Sequence, residues 1–74
     1  MNTSQVFEII KKKCKSQNIT IKEMLESCNI NRNFMYDLKN GTIPAADKLE
    51  VIADYLDCSV DYLLGRTDNP EVNK

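Results

Sequence analysis

Histidine is absent from this sequence, and that sets the first limit on its chemistry. Without it, no Ser-His-Asp or Cys-His relay and no His-ligated zinc site can be built. The thiols are Cys14, Cys28 and Cys58, odd in number and without Cys-x-x-Cys spacing, which excludes a disulfide framework and a four-cysteine zinc site. Each falls where an apolar periodicity wants a small hydrophobe, and free cysteine is among the most buried residue types, so all three are expected as core filler. Four acids, Glu50, Asp54, Asp57 and Asp61, lack the loop spacing of a calcium site and read as solvated surface. An enzyme is not expected, nor is any cofactor or metal.

Hydrogen-bonding chemistry remains, and it is concentrated in residues 30–41, Ile-Asn-Arg-Asn-Phe-Met-Tyr-Asp-Leu-Lys-Asn-Gly. With Met35 and Leu38 turned inward, the outward set is Arg32, Asn33, Phe34, Tyr36, Asp37, Lys39 and Asn40. Arg can fork onto guanine and Asn onto adenine, and a carboxylate can accept from the amino group of cytosine. Asp37 lies four residues beyond Asn33 and shares its helical face. On composition alone, Phe34 and Tyr36 on the same segment favour a protein-binding helix with ordinary surface charges, because aromatic side chains anchor protein interfaces. The residue types leave both readings open.

Helices separated by short breaks must position these groups, and no strand pattern is present. A first helix starts near Asn2 to Ser4, with Asn2 and Gln5 as a capping pair, and Val6, Ile10 and Cys14 on one face. Asn18 stops it. Thr20-Ile-Lys-Glu23 is a capping box for a second helix, with Ile19 stapled onto Met24. Met24, Leu25 and Cys28 form its core-facing stripe, and Asn29 ends it in a left-handed conformation. Asn31 then caps a third helix, Ile30 staples onto Met35, and Asn40-Gly41 closes it. The connection of roughly Cys28 to Asn31 makes a helix-turn-helix unit. Pro44 opens a fourth helix with Leu49, Ile52, Ala53 and Leu56 inward, broken at Asp57-Cys58. Ser59 caps a last short helix carrying Val60, Tyr62, Leu63 and Leu64, which Gly65 stops.

Seventy-four residues allow one small core. A 42% hydrophobic, 28% charged composition excludes disordered and collagen-like classes. Neither a signal-peptide layout nor an apolar run of membrane-spanning length is present, so the chain is expected in the cytoplasm. The net charge of −1 argues against a nucleic-acid binder, but its distribution does not. Residues 1–43 carry seven basic side chains against four acidic; residues 44–74 carry three against seven. This asymmetry fits an electropositive face on the first half, and it fits equally a solvated surface whose charge is merely lopsided. Lys11, Lys12, Lys13 and Lys15 read as a solvated helix face, and Tyr55 and Tyr62 as packing or interface residues.

Thr20 through Pro44, then Leu49-x-x-Ile-Ala-x-x-Leu56, then Ser59-Val-Asp-Tyr-Leu-Leu-Gly65, resembles the helix-turn-helix domain of the phage repressor and Cro (XRE-like) family over about residues 4–67. The resemblance implies an all-α, compact five-helix, lambda-repressor-like DNA-binding domain over residues 1–66, with the helix-turn-helix at about 20–41. A polar tail or linker start occupies residues 67–74. It implies a bacterial or phage transcriptional regulator or repressor that binds operator double-stranded DNA, with the second helix on the backbone and the third in the major groove. Under it, base reading is expected from Arg32, Asn33, Tyr36 and Asp37, and backbone contact from Asn31, Lys39, Asn40, Thr42 and Lys22. The Gly41 and Thr42 amides are expected to face phosphate. A weak homodimer that pairs on DNA is expected, meeting around Tyr62, Leu64 and Arg66.

Departures from the family pattern are Ile21 for the usual Gln at the start of the second helix, Leu25 for the usual Ala, and Asn29 for the turn Gly. Lys39 and Cys14 replace an acid and an arginine that often pair, and changing both leaves no stranded buried charge. The alternatives are a protein-interaction domain of the antitoxin or antirepressor type, and the N-terminal DNA-binding part of a larger regulator.

Overall fold

The ends of the helices show how this chain divides itself. The computed structural model describes residues 2–67. It places α1 at Thr3–Ser16, α2 at Ile21–Ser27, α3 at Phe34–Lys39, α4 at Ala46–Leu56 and α5 at Val60–Leu63. No strand occurs among the described residues. Side-chain oxygens cap three of the starts, as the sequence predicts: Asn2 accepts from the Gln5 amide, Thr20 from Glu23 and Ser59 from Tyr62. Each cap satisfies an amide that the first turn leaves without a helical partner.

Every helix ends in the same way, on a residue with positive φ: Asn18, Asn29, Gly41, Asp57 and Gly65. Beyond each of them, the next amide reaches back five residues to a carbonyl. Ile19 bonds to Cys14, Ile30 to Leu25, Thr42 to Asp37, Cys58 to Ala53 and Arg66 to Asp61, all at 2.9 Å. These are Schellman closures, which turn the chain sharply while satisfying carbonyls that would otherwise be orphaned. Three of the five stops use Asn or Asp, the L-residues that tolerate the left-handed region best.

One core gathers the inward faces. Val6, Ile10 and Cys14 of α1 pack with Met24 and Leu25 of α2, Met35 and Leu38 of α3, the α4 stripe of Leu49, Ile52, Ala53 and Leu56, and Leu63 of α5. Ile30 and Cys58 join from the turns. The α1 helix touches α2, α3 and α5, while α4 packs on α2 and α5. At the two positions where the resemblance leads to an expected charged pair, Cys14 is buried with its Sγ 3.6 Å from Met24 Sδ, and Lys39 is exposed. The Gln17 side-chain amide donates to the Leu56 carbonyl at 2.6 Å, tying the end of α1 to the end of α4.

Three expectations are corrected. First, α3 begins at Phe34 and not directly after Asn31. The Asn31 side chain accepts from the Asn33 amide at 2.8 Å and its carbonyl accepts from Phe34, so a tight turn over Arg32 and Asn33 precedes the helix. The connection between α2 and α3 therefore spans residues 28–33. Second, Pro44 lies outside α4, whose first backbone bond closes on the Ala45 carbonyl. Third, Cys28 is only half-buried, because it is the C-cap of α2 and its thiol points toward the Val51 carbonyl, 3.9 Å away. From residue 68 onward, the expected polar tail lies outside the described residues.

Candidate nucleic-acid interface

Burial of Met35 and Leu38 against the core fixes which side of α3 meets solvent. At 100° per residue, Asn33, Tyr36, Asp37 and Asn40 then form one outward stripe, with Phe34 and Lys39 on its flanks. The stripe is continuous with the preceding turn, because the Asp37 amide already bonds to the Asn33 carbonyl at 2.8 Å. Ile30 is buried beneath the turn and anchors it, while Asn29, with φ of 55°, reverses the chain direction out of α2. The outward side chains thus stand on a short helix held from behind.

The expected base-reading residues are all exposed. Arg32 and Asn33 precede the first residue of α3 instead of lying within its first turn. Tyr36 is 67% exposed, a large aromatic surface with no packing role. Asp37 is the one carboxylate on the stripe. Of the expected backbone-contacting residues, Lys22 is the second residue of α2, and it borders a shallow hollow with Ile21, Leu25, Glu26, Ile30 and Arg32. The two cations therefore share one side of the turn, and Lys39 stands apart at the far end of α3. The Asn31 side-chain oxygen is engaged by Asn33, and the Asn40 side-chain amide donates one proton to the Tyr36 carbonyl at 2.8 Å. A primary amide has a second proton to offer.

The Gly41 and Thr42 amides, expected to face phosphate, have acceptors within the protein. Both donate back into α3, to Leu38 and Asp37. Thr42 is exposed and retains its hydroxyl for an outside partner. Phe34 is half-buried against the core and lines a hollow with Asp37, Ile43, Pro44 and Lys48. Ile43 and Lys48 were not singled out by the sequence. Their signals were a lone apolar residue between Gly41 and Pro44, and a base within an acidic half.

Acidic groups collect elsewhere. Glu50, Asp54 and Asp61 border a hollow between α4 and α5. Tyr62 and Leu64 are half-buried, with the Lys13 ammonium 5.6 Å from the Tyr62 ring, and Arg66 pairs with Asp61 at 3.7 Å. No group of three or more potential ligands able to hold a metal occurs among the described residues. Burial pushes the thiols of Cys14, Cys28 and Cys58 up from their ordinary value, so none is an activated nucleophile. No described helix is long and apolar enough to cross a membrane.

A model of the Cro/C1-type HTH DNA-binding domain family matches residues 10–69. No match is found among curated proteins or solved structures.

Proposed function

This chain belongs to the family of Cro/C1-type helix-turn-helix DNA-binding domains, and from that premise we propose that it reads an operator half-site as a transcriptional repressor. The observation that carries the reading is the outward stripe of Asn33, Tyr36, Asp37 and Asn40, reached through Arg32 and held by a buried Met35 and Leu38. Recognition helices in this docking mode contact base edges with their N-terminal residues. Arg32, Asn33, Tyr36 and Asp37 accordingly read bases, while Asn31, Lys22, Lys39, Asn40 and the Thr42 hydroxyl hold the backbone. The working domain runs to about Arg66, and the chain beyond it serves as a polar tail or linker start. The protein acts in the cytoplasm and pairs on DNA as a weak dimer.

Selection from random duplexes at low salt tests this. An enriched inverted-repeat motif is the expected result. Exposed Tyr36 and Ile43 favour a second reading, in which the same helix binds a protein partner. Selection that enriches no motif would count against the first reading and favour the second.

A further inference from the structure

The hollow beside the outward stripe of α3 combines two features that a base edge can use. Phe34, Leu38, Ile43 and Pro44 give it apolar walls, and the Asp37 carboxylate stands at its rim with Lys48. Ile43 is 69% exposed, so its side chain is not committed to the core. Asp37 is exposed and takes part in no ion pair among the described residues.

A carboxylate only accepts hydrogen bonds. In the major groove, amino donors are presented by cytosine and adenine, whereas thymine presents the O4 acceptor and guanine presents O6 and N7. Thymine and guanine would set lone pairs against Asp37. Adenine places the N7 acceptor beside its amino group, which the carboxylate cannot satisfy. Cytosine is the remaining base, and the carbon next to its amino-bearing C4 is C5, which is apolar and carries a methyl group when modified. A hollow with an acceptor at its rim and hydrocarbon walls matches that pair of neighbours.

We infer that this hollow reads cytosine and prefers 5-methylcytosine: Asp37 accepts from the N4 amino group while Phe34 and Ile43 cover the C5 methyl. The inference rests on the proposed docking of α3 in the major groove. Lys48 at the same rim offsets the repulsion between the Asp37 carboxylate and nearby phosphates.

The test uses the 74-residue chain as wild type, Asp37→Asn and Ile43→Ala. Both positions are exposed, and a thermal melt checks that each variant folds. Affinity is measured at low salt on the duplex enriched by selection, with each cytosine replaced in turn by 5-methylcytosine and by adenine (its partner base changed to match), and on a mixed-sequence duplex in methylated and unmethylated forms. One methylated position per half-site is expected to tighten wild-type binding about fourfold, the effect of covering one methyl group. Ile43→Ala should remove most of that gain while still binding the unmethylated duplex. Asp37→Asn should lose the preference for cytosine there and move it toward adenine, which an amide can pair bidentately. Specific binding that is blind to methylation at every cytosine overturns the hollow alone, as does a gain that survives Ile43→Ala. A wild-type chain that binds no duplex in either form overturns the hollow together with the docking it rests on.

Discussion

Arg32 and Lys39 carry the same charge at opposite ends of α3, and the proposed function gives them different work. Arg32 sits in the turn that leads into the outward stripe, beside the hollow shared with Lys22, where a planar fork can reach a base edge. Lys39 lies on the flank of the stripe in the last turn of the helix. Arg32→Ala should therefore relax preference at one base position by about 1–3 kcal/mol. Lys39→Ala should weaken all sequences alike and lower the salt slope by about one. Competition titrations on the enriched and mixed duplexes at several salt concentrations separate the two patterns; an equal loss on both duplexes for Arg32→Ala contradicts its base-reading role. The thiols belong to stability. Burial raises Cys14, with Cys28 and Cys58 adding to the effect, and burial also raises Cys58, partly opposed by Lys13. The unfolded chain ionises these groups near their ordinary value of 9.0, while the folded chain holds them neutral to higher pH. Their contribution is thus complete below about pH 9 and is lost as pH rises through the folded values. Melting temperatures under reducing conditions should fall above pH 9, and Cys14→Ala should flatten that fall even though it lowers stability at neutral pH.

At the scale of the elements, the helix stops carry much of the fold's definition. Asn29 has φ of 55°, a region that costs an ordinary L-residue about 1–2 kcal/mol. Asn29→Ala should destabilise by about 1 kcal/mol and Asn29→Gly should stabilise by a few tenths to about 1 kcal/mol, read as shifts of several degrees in melting temperature. Equal melting points for the two variants would contradict the left-handed stop. These stops also explain what was legible in the sequence. Helix order, the caps at Asn2, Thr20 and Ser59, and the inward faces of α1 and α4 follow from local rules, because a cap or a stripe is specified within a few residues. The start of α3 was not, since Asn31 has two uses of similar cost: its side chain can cap a helix or close a turn onto Asn33, and here it closes the turn. Cys28 fitted the apolar spacing of α2, but the helix ends one residue before it. Ile43 and Lys48 became visible only when the chain after Gly41 was laid beside Phe34 and Asp37, a neighbourhood that no spacing rule encodes.

The dimensions of the whole molecule bear on how two copies share a site. A single small module buries about 600–1,000 Å² on DNA, too little to discriminate one site in a genome, and two modules related by a two-fold axis supply the rest. Half-sites one helical turn apart hold the modules about 34–36 Å centre to centre. The domain measures 29 × 25 × 21 Å between Cα extremes, so in the proposed two-fold arrangement side chains on its rim would have to span what remains, and two copies would touch over a small area. Contacts of that size are below what holds a stable dimer in solution. The proposed contact around Tyr62, Leu64 and Arg66 agrees with this, because Tyr62 and Leu64 are already half-covered by their own core and Arg66 is paired with Asp61. The expected behaviour is a monomer when free and two chains on each inverted-repeat duplex, with cooperativity that Leu64→Glu weakens while binding to a single half-site persists. Sedimentation with and without the duplex measures the first part, and titration of whole and half sites measures the second. One chain per palindromic duplex at saturating protein would rule out the two-fold arrangement and leave a monomer reading half a site.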